Sequence, residues 1–430
     1  MRCRFSSTRW RVRRREYTAK NFDSTASVSR FTKSNETLIT IKQIMSKAPL
    51  IGIVAGEKSG DILGAGLISA LREKYPDAEF AGVGGPDMIA LGFNSLAEMD
   101  RLSVMGFVEP LGRLPELFAL KKRLREFFIE RRPLVFIGID SPDFNLRLEE
   151  EIKVAGIKTA HYVSPSLWAY REKRIHKVKR AVDLMLTLFP FETAVYEQHG
   201  VDAKCVGHPL ADTIGFDDKK LASREQFGLN PDDAVVALMP GSRGGEIKRL
   251  APVFLAAAVA SLEQCPQIKF LIPASSAANK SQIDALLREE SIFRGEQFIL
   301  VDDSHTAISA ADLVVLSSGT ATLEVLLLRR PMIVAYKLAA ITYAIASRLV
   351  KIPYVALPNL LAGRELVPEF IQHDLSVEKL RERIVGHMTA TGNHEELMQE
   401  FESIHKSLRL DASVQAADAV AALIEKGSAQ

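Results

Sequence analysis

Cysteine is nearly absent: Cys3, Cys205 and Cys265 are the only three in 430 residues, and no CxxC or other metal-ligand spacing joins them. A disulfide scaffold and a zinc ribbon are excluded as organising devices, and the usage fits a reducing compartment. Long apolar runs are lacking too. Val253–Leu262 is too short, and Pro331–Val350 is interrupted by Lys337 and Arg348. A spanning helix needs ~18–20 apolar residues, so no transmembrane helix is expected. Neither an Asp-x-Asp pair nor His-Glu-x-x-His occurs, which leaves no metal motif to read. Acidic residues are scarce in one place only. Residues 1–44 carry three against eleven Lys or Arg, a net of +8, whereas the rest of the chain carries 50 acidic and 44 basic, a net of −6. The body therefore offers no reason to invoke nucleic acid.

What is present is ordinary globular composition, 47% hydrophobic and 25% charged, in a length that holds two domains at ~100–200 residues each. The head, 1–45, is Arg- and Ser/Thr-rich with no apolar core, so it is not a secretory signal. It reads as a disordered segment outside the fold, either transit-type or upstream of a start at Met45. From Pro49, short apolar runs alternate with amphipathic segments. Leu50–Ala55, Glu79–Val83, Leu134–Ile139, Lys158–Val163, Leu184–Leu188 and Ala203–Val206 read as one series of strands. Ala234–Met239, Lys269–Ile272, Phe298–Val301, Leu313–Leu316 and Met332–Val334 read as a second. Strands alternating with helices predict βαβ units and parallel sheets, hence an α/β fold of two facing Rossmann-like domains. The expected boundaries are 46–211, a polar link over 212–233, and 234–394, with helices from 395–430 crossing back to the first domain.

In open α/β sheets ligands sit at the carboxyl ends of the strands, so the residues just after each strand carry the candidate chemistry. Ala55–Gly66 (AGEKSGDILGAG) opens a helix after a strand, but it is neither a P-loop nor a dinucleotide fingerprint. Glu57 suits contact with a polar substrate there; a plain turn with Asp61 at the helix start fits the same residues. Phe136–Asn145 (FIGIDSPDFN) ends an apolar strand in Asp140 and Asp143, with Pro142 turning the chain out of the sheet. Asp140 is placed to take a proton from a hydroxyl or to cap a helix, and Asp143 suits a turn or cap. After the next strand come Ser164, Trp168 and Tyr170, which suit a sugar or acyl pocket or, for Trp168, the core.

The second half carries two anion-type turns. Leu238–Ile247 (LMPGSRGGEI) joins a strand to a helix through Gly241, Ser242, Arg243 and Gly244, where backbone N–H groups and an Arg face a diphosphate well. Ser317–Glu324 (SSGTATLE) repeats the arrangement with Ser318, Gly319 and Thr320, and Glu324 one turn on could hold ribose hydroxyls. A capping box explains the same Thr residues without a ligand. Pro358–Glu365 adds Asn359 and Arg364 as cleft candidates. The division is nucleophile activation in the first domain and leaving-group binding in the second.

Taken in order, AGEKSGDILGAGLI, SVMGFVEPLGRL, GIDSPDFN, HYVSPSLWA, LFPFE, VGHP, PGSRGGE, SGTATLE and LPNLLAGRELVPE resemble the lipid-A-disaccharide synthases, over roughly Pro49 to Ala422. The resemblance implies the GT-B architecture and a metal-independent, inverting glycosyltransferase without cofactor. It implies transfer of 2,3-diacylglucosamine from UDP to 2,3-diacylglucosamine 1-phosphate, giving a β-1,6-linked disaccharide 1-phosphate and UDP. Glu57, Asp140, Arg243, Glu324 and Asn359 fall on positions it links to catalysis or UDP binding, with Asp140 as base for the acceptor 6-hydroxyl. Acylated substrates imply a membrane surface, and the expected location is cytoplasmic, peripheral to the inner membrane. Val104, Val108, Leu111, Leu114, Leu117 and Phe118 recur at roughly helical spacing before Lys121, Lys122, Arg123 and Arg125. That stripe fits interfacial docking or an ordinary core-facing helix, interrupted by Pro110, Gly112 and Pro115. A homodimer is a further expectation. The rivals are another UDP-sugar enzyme of this architecture, such as a 2-epimerase, and an inactive nucleotide-binding membrane adaptor.

Overall fold

The computed structural model describes residues 48–102, 109–167, 172–289, 296–349, 352–390 and 394–428. The basic head thus lies outside the described residues. Parallel strands covered on both faces must be apolar throughout, and the two predicted series form accordingly. The first sheet holds β1 (Leu50–Ala55), β2 (Glu79–Val83), β3 (Asn94–Ser95), β4 (Val135–Ile139), β5 (Thr159–Tyr162), β6 (Leu184–Thr187) and β7 (Ala203–Cys205). The second holds β8 (Val235–Met239), β9 (Lys269–Pro273), β10 (Phe298–Val301), β11 (Leu313–Ser317), β12 (Met332–Tyr336) and β13 (Glu369–Ile371).

The strand orders are β3-β2-β1-β4-β5-β6-β7 and β10-β9-β8-β11-β12-β13, all parallel. Each order reverses once, between β1 and β4 in the first sheet and between β8 and β11 in the second. The fold is α/β, with two Rossmann-like domains. Strands β3 and β13 were not anticipated. Both are edge strands of two or three residues, exposed or half-buried, so no buried apolar run announces them.

Helices cover both faces of each sheet. On the first, Leu67 and Leu71 pack with Ile51, Ile53 and Ile137 on one side, while Leu124, Phe128 and Ile152 meet Val54 and Phe136 on the other. On the second, Leu323, Leu326 and Phe401 pack against Val314 and Leu316, and Phe254, Leu255 and Leu380 against Val236, Leu238 and Phe270.

The stretch Asp212–Asp233, anticipated as a link, is largely built into the second domain. Helix Lys220–Gln226 carries Arg224, whose side chain is 3% exposed. It donates to the carbonyls of Ala310 and Pro231 and pairs with Asp312 at 2.9 Å. Asp312 is held further by Lys220 at 2.6 Å and by the N–H of Val235 at 2.8 Å.

The return crossing lies at Arg409–Asp411 rather than at Glu395. Helix Glu395–Leu408 stays with the second domain through Phe401, Ile404 and Leu408. Only helix Ala412–Ser428 joins the first, inserting Ala416, Ala417, Val420 and Ile424 against helix Lys58–Lys74. Outgoing and returning chains run side by side. The N–H of His208 donates to Leu408 O at 2.9 Å, and those of Asp411 and Ala412 donate to the Asp212 carboxylate at 2.9 and 2.7 Å. Gly207 is required at this crossing: its φ is +85°, and a Cβ would lie 2.5 Å from Leu408 O.

Removing one partner of a buried pair costs up to ~3–5 kcal/mol, but Lys220 still compensates Asp312. Arg224→Met should therefore destabilise the protein by about 2 kcal/mol. Urea unfolding of the two proteins measures it, and an unchanged midpoint would show that the cluster does not hold the second domain together.

Candidate active site

Every strand of a parallel sheet ends on the same side, so the loops after β1, β4, β8 and β11 project from the two points where the strand order reverses. Those four loops are the GEKSG, DSPD, GSRGG and SGTAT segments. Such reversal points are where open α/β sheets form ligand crevices.

Glu57 stands at the N-cap of helix Lys58–Lys74 without bonding the helix through its side chain. Half-buried, its carboxyl is pushed up chiefly by burial, then by the charge of Asp140, and is pulled down by Arg243. The Glu57 carboxyl thus feels a neighbour from each of two other loops. Asp140 is the first residue beyond β4 and lies in left-handed backbone, φ +52°, followed by Ser141 at φ +43°. Its N–H donates to Tyr162 O at 2.9 Å. Asp143 sits in the first turn of helix Pro142–Val154 and pairs with Arg174 at 2.7 Å, outside the Glu57–Asp140 pair.

The loop after β8 closes on itself. Gly241 has φ +124°, and a Cβ there would fall 2.6 Å from Glu246 Oε2. Ser242 O accepts from Asn279 Nδ2 at 2.7 Å. Arg243 occupies the N-cap of helix Gly244–Leu262, with its side chain 65% exposed and 3.3 Å from Glu246 Oε1. The first-turn N–H groups of a nineteen-residue helix, beside an exposed guanidinium, form an anion-binding end.

After β11, Gly319 takes φ +153° at the N-cap of helix Thr320–Leu327. Neither Thr makes the capping box: Thr322 Oγ1 instead donates back to Gly319 O at 2.8 Å and accepts from Leu357 N–H at 3.3 Å. Thr320 is exposed at the loop. Ser318 Oγ donates to Val355 O at 2.9 Å, so its proton braces the loop. Glu324 faces His305 Nε2 at 3.3 Å. That contact holds the imidazole pKa above its usual value against the opposing effect of burial.

Three of the expected residues are engaged by the protein itself. Asn359 is fully buried and its side chain is saturated: Nδ2 donates to Val367 O and Glu369 Oε1, and Oδ1 accepts from the N–H groups of Leu366 and Val367. Its amide shapes the loop and is not offered to a ligand. Ser164 is buried and bonded to the Tyr196 hydroxyl at 2.7 Å, which closes it to a substrate. Arg364 is exposed and lies 3.5 Å from Glu400 on helix Glu395–Leu408. Trp168 lies outside the described residues.

Of the apolar stripe, Val104 and Val108 lie outside the described residues, as do the side chains of Leu111 and Leu114. Helix Glu109–Arg131 runs unbroken through Pro110, Gly112 and Pro115. Leu117 packs partly against the core and Phe118 is 52% exposed. The basic run is tied into the fold, Lys121 to Glu151 at 2.5 Å and Arg123 to Leu96 O.

Residues that were not anticipated include His305, Glu246 and Asn145, whose amide bonds Asp140 O at 2.8 Å. The signal for His305 was available: Asp302-Asp303-Ser304-His305 follows β10 as the other polar turns follow their strands. Asn145 stood five residues beyond Asp140 in a string already singled out. His208 of VGHP is structural, its ring accepting from Leu210 N–H and its pKa pushed down by burial to about 4. Among the described residues no group of three or more His, Cys, Asp or Glu side chains is placed to hold a metal ion.

Comparisons with known proteins bear on the family and the fold. A family model described as Lipid-A-disaccharide synthetase matches residues 51–423. A Lipid-A-disaccharide synthase of Pseudomonas aeruginosa is 52% identical over 377 residues, 87% of this chain and 98% of that protein. Two solved structures share the fold at low identity. The glycotransferase of kitacinnamycin has a TM-score of 0.56 at 15% identity, covering 89% of this chain and 100% of that one. The UDP-GlcNAc 2-epimerase of Neisseria meningitidis, bound to UDP-GlcNAc, has a TM-score of 0.53 at 11% identity, covering 88% and 100%. With GT-B topology and a family match spanning both domains, the chain belongs to the lipid-A-disaccharide synthetase family of glycosyltransferases.

Proposed function

We propose that the chain transfers 2,3-diacylglucosamine from UDP-2,3-diacylglucosamine to the 6-hydroxyl of 2,3-diacylglucosamine 1-phosphate. The products are the β-1,6-linked disaccharide 1-phosphate and UDP. The observation that supports this is the placing of Glu57 and Asp140 on the loops at one strand-order reversal and of Arg243 at the other, with the Glu57 carboxyl raised by Asp140 and lowered by Arg243. Asp140 takes the 6-hydroxyl proton as that oxygen forms its bond to C1 of the donor sugar. The C1–O bond to UDP breaks on the opposite face, so the configuration at C1 inverts. Negative charge gathering on the diphosphate meets Arg243 and the helix N-termini at Gly244 and Thr320. Glu324 holds the ribose hydroxyls. Glu57, its pKa raised chiefly by burial, keeps its proton to higher pH than a free glutamate and donates to a substrate oxygen.

Both sugars carry acyl chains, so the enzyme works as a peripheral protein at the cytoplasmic face of the inner membrane. No described helix is long and apolar enough to cross a membrane, and Phe118 stands exposed on helix Glu109–Arg131.

UDP release in detergent micelles, with and without acceptor, tests the reaction. Release should require the acceptor, and Asp140→Ala should lower kcat by ~10²–10⁴-fold, the usual range for a general base. Acceptor-dependent release that survives the substitution would discard Asp140 as base. Silence from both folded proteins would favour the 2-epimerase-like and adaptor readings.

Arg243→Ala should lower kcat/KM by ~10²-fold through loss of a charged diphosphate contact, read as steady-state kinetics in the donor. An unchanged value would remove Arg243 from the site.

UDP binding also draws Arg243 from Glu57 to the diphosphate. The Glu57 pKa then rises further on binding, so the complex holds more proton than the free protein. Because the free-protein value is already raised, affinity should fall as pH rises above the ordinary glutamate value of about 4.3. Calorimetry in buffers of different ionisation enthalpy should detect proton uptake, absent in Glu57→Gln. Equal uptake in both proteins would place the proton elsewhere.

A further inference from the structure

We propose that Asn145 is the positioning residue for Asp140, acting through the backbone; this rests on the reading of Asp140 as the base. Asn145 lies on helix Pro142–Val154 and is fully buried. Its Nδ2 donates to Asp140 O at 2.8 Å, to Val54 O at 3.1 Å and to Ile139 O at 3.2 Å. Those carbonyls are the ends of β1 and β4, the strands on either side of the reversal point. Two amide hydrogens serve three acceptors, which fixes the amide: turned over, its oxygen would face three oxygens.

The need for such a clamp comes from the backbone. Asp140 and Ser141 are consecutive non-glycine residues in left-handed conformation, a state that persists only where the surroundings enforce it. The N–H of Asp140 is held by Tyr162 O and its C=O by Asn145, so both peptide groups flanking its Cα are fixed. The direction in which the carboxylate leaves the chain follows from that.

The seat of Asn145 is itself built. Gly138, two residues before Asp140, has no side chain, and a Cβ there would fall 2.9 Å from Asn145 Cβ and 2.1 Å from Glu149 Oε1. Glu149, one turn further along the helix, is fully buried and 2.7 Å from His161 Nδ1 on β5. The helix face carrying Asn145 is therefore pinned to the sheet at the next turn.

The test is a double-mutant cycle. Asn145→Ala and Asn145→Leu, the second close in size but without a donor, are made in the native protein and in Asp140→Ala. Rates are normalised to the fraction of protein that binds UDP, so partial unfolding does not enter. In the native background kcat should fall by ~30–100-fold, the scale of a misdirected catalytic group. KM for both substrates and Kd for UDP should move less than threefold. In the Asp140→Ala background neither substitution should lower kcat further. Full additivity there, or a rise in KM with kcat unchanged, or no effect at all, would overturn the proposal. Full activity of Asp140→Ala alone would remove the base itself and the proposal with it, a result visible before Asn145 is touched.

Discussion

Parallel strands impose one constraint from which the rest of this structure follows: all of them end on the same side. A chain that returns to start each strand at the same edge must place its helices on the faces, and the outgoing loops are left together at the carboxyl ends. Two such sheets give two sets of loops. At each reversal of strand order, the helices leave on opposite faces and the loops part. Glu57 and Asp140 occupy one such gap, and Arg243 and Thr320 the other. The chemical asymmetry of the two halves is thus laid over a shared geometry, with carboxylates at one reversal and helix N-termini with a cation at the other.

Electrostatics divides the labour between them. Glu57 is pushed toward its neutral form by burial and by Asp140, and toward its charged form by Arg243. A diphosphate arriving between the halves would change that balance at once, because it competes for the same guanidinium. The second half is held together by other interactions, with Arg224, Asp312 and Lys220 fastening its amino-terminal helix to the sheet. Asn359 and Glu369 brace the loop near Val355, with the Glu369 carboxylate accepting from the N–H groups of Val355 and Ala356.

Much of this was legible in the chain before any coordinates. Ten strands appear as apolar runs because a parallel sheet covered on both faces demands them, and the half-buried edge strand β7 was read with them, whereas the edge strands β3 and β13 carry no such run. The reversal-point loops were legible from Gly, Ser and charged residues placed directly after strands. What could not be read was whether a polar side chain is already occupied. Asn359, Ser164 and Ser318 are the residue types that bind ligands, yet each has its hydrogen-bonding groups engaged by the protein. Asn145 shows the converse. A buried asparagine in a helix looks unremarkable in one dimension, and its bonds to the ends of two strands exist only once β1 and β4 lie side by side.

The paired crossing at Gly207–Asp212 and Leu408–Ala412 makes the second domain an insertion within the first. On a ribosome, the first sheet is complete about two hundred residues before the helix that covers one side of it. Until Ala416, Ala417, Val420 and Ile424 are made, Leu67 and its neighbours on helix Lys58–Lys74 lack that cover. The nascent first domain must therefore wait with an apolar groove open while the second folds as a closed loop between adjacent ends. Loss of the chain from Ala416 onward would accordingly uncover the domain at the opposite end of the sequence.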